Sequence, residues 1–142
     1  MTTTLRPATR SDALYLLKLE EACMRAYAEA LWGAWRPSDT AETLDLSGHE
    51  IIELGGRPCG CVAVSWQPDH MFVEKLYIDP AYQGRGIGAV ALKAKTSIAA
   101  KKGLPTKLSV LTTNPADRFY TREGFTLEAK TPERRRFSKP VE

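Results

Sequence analysis

Cysteine, histidine and long apolar runs are all scarce in this sequence. Its 142 residues include three cysteines and two histidines, which is too few for a disulfide-rich scaffold. An odd cysteine count and an opening stretch without an apolar segment favour a reducing compartment, so we expect a cytoplasmic protein. No apolar run approaches the roughly 20 residues of a membrane-spanning helix, and we expect no membrane association.

The cysteines do not indicate a metal centre either. Cys59 and Cys61 are two positions apart, which in a strand would place both thiols on one face. Two thiols cannot complete a tetrahedral zinc site, and His49 and His70 lack the usual ligand spacings. We therefore expect no metal, and cysteines that are buried as small hydrophobic residues.

Charge of one sign is not in large excess. Twenty Lys and Arg residues against 17 Asp and Glu residues give a formal net charge of +3. This balance suits a partner that carries phosphates but does not indicate a nucleic-acid binder. Arg134, Arg135, Arg136 and Lys139 crowd the C-terminal region, and we interpret them as a solvated or anion-facing strand end rather than a nucleic-acid surface.

The rest of the composition is that of one globular domain over residues 1–142, with 43% hydrophobic and 26% charged residues. Periodicity predicts helices near residues 12–31, 38–44, 87–102 and 114–123. It predicts strands near residues 5–8, 50–54, 59–66, 71–78, 107–111, 125–130 and 134–138. Antiparallel hairpins combined with one β-α-β crossover predict a mixed sheet in an α+β fold.

A glycine-rich turn carries the clearest chemical signal. Residues 83–88 read QGRGIG, between a predicted strand and a predicted helix. Glycines leave backbone N–H groups uncrowded and the helix adds the positive end of its dipole, so the turn can hold a pyrophosphate, with Arg85 as a further contact. It is neither a P-loop nor the dinucleotide fingerprint, because the following residues and the glycine spacing differ. By itself, it is equally consistent with a tight turn that binds nothing.

Two blocks resemble the GNAT superfamily of N-acetyltransferases. The pattern Gln83-x-x-Gly86-x-Gly88 resembles its acyl-CoA-binding signature, and the similarity extends over residues 74–88, EKLYIDPAYQGRGIG. Residues 114–125, NPADRFYTREGF, resemble the family's second block, in the same order and at the same separation. The resemblance covers nearly the whole chain. It implies a GNAT-like three-layer α/β/α fold, with a mixed, mostly antiparallel sheet flanked by about four helices, in a family where homodimers are common.

The resemblance implies acetyl-CoA as the cofactor. Strands splay apart in this family, and the backbone of residues 76–78 would pair with the pantetheine arm in that slot. The N–H of Ile78 would polarise the thioester carbonyl, the N–H groups from Gly84 to Ala89 would hold the pyrophosphate, and Asn114 would hydrogen-bond the arm. The implied cofactor-binding residues are Leu76, Tyr77, Ile78, Gln83, Gly84, Arg85, Gly86, Ile87, Gly88, Ala89 and Asn114.

Two residues are candidates for catalysis. The family motif places Tyr120 near the sulfur, where a hydroxyl with an ordinary pKa of about 10 would protonate the departing thiolate; the alternative is a core aromatic. Glu74 is the candidate base, as a partly buried carboxylate with a raised pKa on the same strand face as Leu76 and Ile78. Equally, it is a surface residue paired with a cation. Some family members carry a glutamate where this chain has Ser109, so Glu74 or a water chain must take the proton.

The acceptor is the least specified part of the prediction. The family forms the acceptor pocket from its first two helices, where this chain holds Tyr27, Glu29, Trp32 and Trp35. These side chains could receive a cationic amine, or the tryptophans could only pack the helix end against the sheet. The arginine run favours an acidic acceptor or another anionic substrate. We predict acetyl transfer to a primary amine of a small molecule or peptide, by direct attack in a ternary complex. The alternative is a non-catalytic acyl-CoA-binding module, and the sequence leaves the length of the acyl group open.

Overall fold

A computed structural model describes residues 2–37 and 39–141, which form seven strands and three helices. In chain order these are β1 (Thr3–Pro7), α1 (Ala13–Trp32), β2 (His49–Leu54), β3 (Arg57–Trp66), β4 (Met71–Ile78), α2 (Ile87–Lys101), β5 (Thr106–Leu111), α3 (Asp117–Arg122), β6 (Thr126–Lys130) and β7 (Arg134–Lys139). The strands make one sheet in the order β1-β2-β3-β4-β5-β7-β6. Among the strand pairs of the described residues, only β4–β5 is parallel, which confirms the mixed, mostly antiparallel sheet.

The sheet separates two hydrophobic clusters, so the fold has three layers as predicted. One cluster contains Leu16 of α1 with Ile51 of β2, and we call it the α1-side cluster. The other contains Leu92 of α2 with Ile52 of β2, and we call it the α2-side cluster. The side chains of the neighbouring residues Ile51 and Ile52 thus point to opposite faces of the sheet, as strand geometry requires. Within the described ranges, no helix is long and apolar enough to cross a bilayer.

Within the described residues, three α-helices flank the sheet rather than about four. The predicted helix near residues 38–44 is absent from its described part, where residues 41–43 form a turn; Ser38 lies outside the described residues. The N–H of Thr40 donates to Oγ1 of Thr43 at 2.8 Å, and the N–H of Thr43 donates to Oγ1 of Thr40 at 3.3 Å. Such local bonds compete with a helix, and a segment this short is poor at nucleating one.

A β-bulge changes the two faces of β4. The pairing of β3 with β4 shifts at Glu74, which becomes an extra residue. The β4 residues that pack with the α2-side cluster are Met71 and Val73 before the bulge and Leu76 and Ile78 after it. The prediction that Glu74 shares a face with Leu76 and Ile78 is therefore wrong, because one extra residue reverses the alternation.

A second bulge separates the two cysteines of β3. The pairing of β2 with β3 shifts so that Cys59 has no partner of its own. Cys59 then packs in the α2-side cluster and Cys61 in the α1-side cluster. The predicted common face is wrong for the same physical reason. The predicted burial is confirmed, since the two residues are 0% and 1% exposed.

Candidate active site

The site begins where β4 and β5 separate. The two strands share three residue pairs, the last of which joins Val73 to Leu108. Beyond that pair, β4 runs on to Ile78 and β5 to Leu111, and their facing edges diverge into an open wedge. The bulge at Glu74 follows the last pair directly. Because a bulge bends its strand and increases the local twist, it turns β4 away from β5.

The end of β4 directs its backbone into this wedge. The N–H of Asp79 donates across to β3 at 2.8 Å. Successive residues of a strand point their N–H groups to opposite edges, so those of Ile78 and Leu76 face the wedge. The carbonyl of Ile78 accepts hydrogen bonds from Sγ of Cys23 at 3.2 Å and from Nε2 of Gln83 at 2.9 Å. These contacts tie the strand end to α1 and to the glycine-rich turn.

The glycine-rich turn leads into the first turn of α2. Gly84 and Gly86 have φ values of +80° and +78°, and a Cβ on either would meet no atom within 4 Å. The requirement for glycine is therefore conformational rather than steric. The N–H of Val90 donates to the carbonyl of Gly86 at 3.2 Å. The N–H groups of residues 87–89 precede that first helical bond and have no acceptor within the helix, so they form an end that can bind an anion.

Arg135 holds the loop that carries Asn114. Its Nη2 donates to the carbonyl of Asn114 at 2.6 Å and lies 2.9 Å from Oδ1 of Asp117, while Nη1 donates to the carbonyl of Thr112 at 3.3 Å. This role of Arg135 was not predicted from the sequence, where the arginines were interpreted as one run. The sequence feature that could have revealed this role is the spacing of two residues between Arg135 and Phe137, because such residues of a strand share a face. Phe137 is 2% exposed, so Arg135 faces the same layer.

Tyr120 is a core aromatic whose side chain also lines the cavity below the wedge. It is 8% exposed, and its ring meets Phe119 and Phe125 edge-on with centroids 5.0 and 5.7 Å away. Burial raises the pKa of Tyr120 to about 12. Its hydroxyl has no hydrogen-bond partner among residues 2–37 and 39–141. Tyr120 is thus a protonated donor at neutral pH, with its donor capacity unused by the protein.

A cavity of about 1000 Å³ connects these parts, at the upper end of the roughly 300–1000 Å³ usual for ligand pockets. The loop before Asn114 is tied to α1, because Oγ1 of Thr113 donates to the carbonyl of Tyr27 at 2.7 Å. The predicted site residues that line the cavity are Tyr27, Trp32, Trp35, Glu74, Leu76, Tyr77, Ile78, Gln83, Gly84, Gly86, Ile87, Gly88, Ala89, Asn114 and Tyr120. The fold therefore brings most of the predicted residues together.

Glu74 lies on the cavity wall but not in the environment predicted for it. The side chain is exposed, so the expected partial burial is wrong. Its Oε2 accepts a hydrogen bond from Oγ of Ser65 at 2.8 Å. Ser65 pairs with Phe72, on the face opposite the α2-side cluster, so the carboxylate of Glu74 lies on the α1 side of the sheet.

The ring of Trp32 contacts a cationic side chain of the same protein. The guanidinium of Arg134 lies over its ring, 5.8 Å from the centroid. Its indole N–H donates to Oε2 of Glu133 at 2.9 Å. The tryptophan thus positions Arg134, and a cationic amine over the same ring would be repelled by that guanidinium. Trp35, which is half-buried, makes part of the same wall.

A comparison with known protein families identifies the family to which this chain belongs. The model of the acetyltransferase (GNAT) family matches residues 13–125, which is most of the chain. The chain belongs to the GNAT acetyltransferase family. An uncharacterized N-acetyltransferase of Methanocaldococcus jannaschii is 28% identical over 87% of this chain, and the chain spans 61% of the length of that relative.

Solved structures share the fold of this GNAT chain. An acetyltransferase from Thermus thermophilus matches with a TM-score of 0.77 and 24% identity, over 99% of this chain and 97% of the other. The PaiA N-acetyltransferase of Thermoplasma acidophilum, solved in complex with coenzyme A, matches with a TM-score of 0.74 and 17% identity, over 99% of both chains. At these identities, the likeness shows the fold.

The GNAT site fits the family's cosubstrate, acetyl-CoA. The wedge between β4 and β5 leaves strand edges that can pair with an extended arm. The unpaired N–H groups at the start of α2 suit a pyrophosphate. The two features lie along one cavity, so a single extended ligand can occupy both.

Two predicted residues do not line this cavity. Arg85 stacks over the ring of Tyr82, 5.3 Å from its centroid, and belongs to a separate groove. Glu29 is exposed on α1 and pairs with Arg25 at 3.1 Å. The carboxylate that α1 presents to the cavity is that of the half-buried Glu20, which was not predicted from the sequence. The sequence feature that could have identified Glu20 is its spacing of seven residues from Tyr27, which places both residues on one helical face.

Proposed function

We propose that this GNAT protein transfers the acetyl group of acetyl-CoA to a primary amine of a small molecule or peptide, by direct attack in a ternary complex. The observation that carries the proposal is the open wedge between β4 and β5. It leads on one side to the N-terminus of α2 and on the other to an α1-lined cleft. A donor and an acceptor can therefore approach the same point from opposite faces of the sheet.

In the proposed reaction, the amine nitrogen attacks the carbonyl carbon of the acetyl-CoA thioester, so that a C–N bond forms and the C–S bond breaks. The amine loses one proton, and the departing thiolate gains one. The N–H groups of Leu76 and Ile78 would pair with the pantetheine arm, as an added strand does. That of Ile78 would donate to the thioester oxygen, where negative charge develops. The amides of residues 84–89 would hold the pyrophosphate, and Asn114 would bind the arm.

Tyr120 would donate a hydrogen bond to the departing sulfur. With its pKa at about 12, it is a weaker acid than the thiol it would protonate, whose ordinary pKa is about 8.5. Complete proton transfer from Tyr120 is therefore uphill. Its contribution is stabilisation of the thiolate by a charge-assisted hydrogen bond while a proton arrives from the medium.

The amine proton would pass to Glu74, directly or through a water chain. Glu74 is open to solvent and bonded to Ser65, and Glu20 offers a second carboxylate on the same cavity wall. Glu74→Gln should lower turnover at saturating acceptor. Glu20→Gln is the matched comparison; a loss of turnover in this second variant alone would assign the base to Glu20 instead.

Calorimetric titration with acetyl-CoA, compared with free CoA, tests the cosubstrate. A CoA-release assay with an amine panel tests the transfer. Micromolar binding followed by amine-dependent release supports the enzyme. Tight binding without release from any amine would favour the non-catalytic acyl-CoA-binding module, because such a module needs the wedge and the turn but not the hydroxyl of Tyr120. No binding by the folded protein would overturn both functions.

A further inference from the structure

Two arginines of β7 lie on the cavity wall without an acidic partner among the residues that the structure describes. Phe137 packs in the α2-side cluster and Arg135 faces the same layer, so Arg134 and Arg136 project to the α1 side, where both line the cavity. The guanidinium of Arg134 contacts the ring of Trp32. The guanidinium of Arg136 makes no hydrogen bond, ion pair or ring contact with any residue in the ranges 2–37 and 39–141.

Arg136 lies beside the point where the wedge opens. It pairs with Ser109, the first residue of β5 beyond the last β4–β5 pair. Glu74 is the first residue of β4 beyond the same pair. Glu74 and Arg136 therefore flank β5 on either side, with main chains on the order of 10 Å apart, about two strand spacings. Their long side chains can both contact a molecule only a few bonds long.

Charges of opposite sign are separated across this part of the cavity. Carboxylates come from Glu20 of α1 and Glu74 of β4, whereas the guanidinium groups of Arg134 and Arg136 come from β7. The other charged residues of the lining are Lys75 of β4, Arg122 of α3 and Glu123, which follows α3. A planar guanidinium presents two parallel N–H donors that match a carboxylate.

We propose that the acceptor is a small amino carboxylate, an amine with a free carboxylate in the same molecule, and that Arg136 binds this carboxylate with help from Arg134. The amine then faces the wedge on the side of the two glutamates, and the products are an N-acetyl amino carboxylate and CoA. The inference rests on the proposed acetyl transfer and names its substrate class. Polyamines are poor acceptors on this account, because the same arginines repel them.

The test is a set of matched acceptors in the CoA-release assay. It uses the α-amino acids and the ω-amino acids from glycine to 6-aminohexanoate, each beside its own carboxamide. The carboxamide has the less basic amine and offers more unprotonated nucleophile at neutral pH, so it would be preferred if the carboxylate contributed nothing. We expect at least one acid to exceed its amide by about 10- to 150-fold in kcat/KM, the range of a hydrogen bond to a charged group.

Arg136→Gln should raise KM for that acid by a similar factor while leaving kcat, the reaction of the amide and the Kd of acetyl-CoA within about twofold. Arg136→Lys should recover only part of the preference, because an ammonium cannot donate two parallel bonds. Arg118→Gln is the control, since Arg118 is exposed on α3 and does not line the cavity. It should retain the full preference.

Each result bears on one of the two proposals. Equal kcat/KM for the acids and their amides, or transfer only to amines that carry no carboxylate, would overturn the inference about the acceptor. Either result would leave the proposed acetyl transfer intact. Transfer to acidic peptides but to no free amino acid would overturn it in favour of a protein acceptor. Failure to bind acetyl-CoA would overturn the proposed function and the inference with it.

Discussion

Replacing Tyr120 with phenylalanine removes one hydroxyl and leaves the ring in place. The ring packs with Phe119, Phe125 and Phe137 at centroid distances of 5.0, 5.7 and 5.9 Å, and these contacts persist in the variant. The hydroxyl has no hydrogen-bond partner in the described part of the chain. The free energy of unfolding should therefore change by less than about 1 kcal/mol, since no protein hydrogen bond is lost.

Turnover should fall much more than stability. A hydrogen bond to a charged group contributes about 1.5–3 kcal/mol, which corresponds to a loss of roughly 10- to 150-fold in kcat. The Kd of acetyl-CoA should stay within about twofold, because the bond strengthens only as charge develops on sulfur. The assay is CoA release at saturating acetyl-CoA and acceptor, with calorimetry for Kd and urea unfolding for stability.

Tyr15→Phe is the matched control. Tyr15 belongs to the α1-side cluster and is not part of the cavity lining. Its hydroxyl oxygen is buried and has no hydrogen-bond partner in the described part of the chain. This variant should keep full turnover and gain about 1 kcal/mol of stability, because an unsatisfied buried hydroxyl is removed. Turnover of Tyr120→Phe within twofold of the unmodified protein would refute the donor role. A parallel loss of turnover in both variants would show that the effect is structural.

Three further results are expected. Gly86→Ala should cost about 1–2 kcal/mol and weaken acetyl-CoA binding in calorimetry, because an L-residue disfavours the φ of +78°; unchanged Kd would contradict the role of the turn. The pKa of Asp12 is lowered from 3.8 to about 2, mainly by its hydrogen bond from Arg6. The ionised carboxylate should therefore contribute to the free energy of unfolding above about pH 4, and this contribution should be lost as the pH falls through about 2. The loss is about 1–2 kcal/mol after discounting for the exposure of Arg6, and urea unfolding at several pH values should show it in the unmodified protein but not in Asp12→Asn. Arg135→Gln should lower both stability and acetyl-CoA affinity by freeing the loop of Asn114; an unchanged Kd would exclude that positioning role.

Short-range features of the sequence were sufficient for most of the secondary structure and for the cosubstrate end of the site. The strand predicted at residues 71–78 has the observed bounds of β4, because alternation and the following Asp79-Pro80 are local signals. The turn at Gly84 and Gly86 was predictable because a positive φ demands glycine wherever the rest of the chain lies. The resemblance supplied the expected roles of Asn114 and Tyr120, which the fold brings to one cavity.

Tertiary structure decided what depends on partners far away in the chain. The bulges at Cys59 and Glu74 arise in the pairing between strands, so a single strand's alternation predicted the wrong faces. The carboxylate that α1 turns to the cavity is that of Glu20 rather than Glu29, because the sheet selects which side of the helix is covered. Within the arginine run, alternation separates Arg135 from Arg136, but only the packing on each face of the sheet decides that Arg135 holds a loop and Arg136 faces the cavity. Local sequence determines which conformations a segment prefers, whereas the neighbours that each side chain meets are determined only when the sheet assembles.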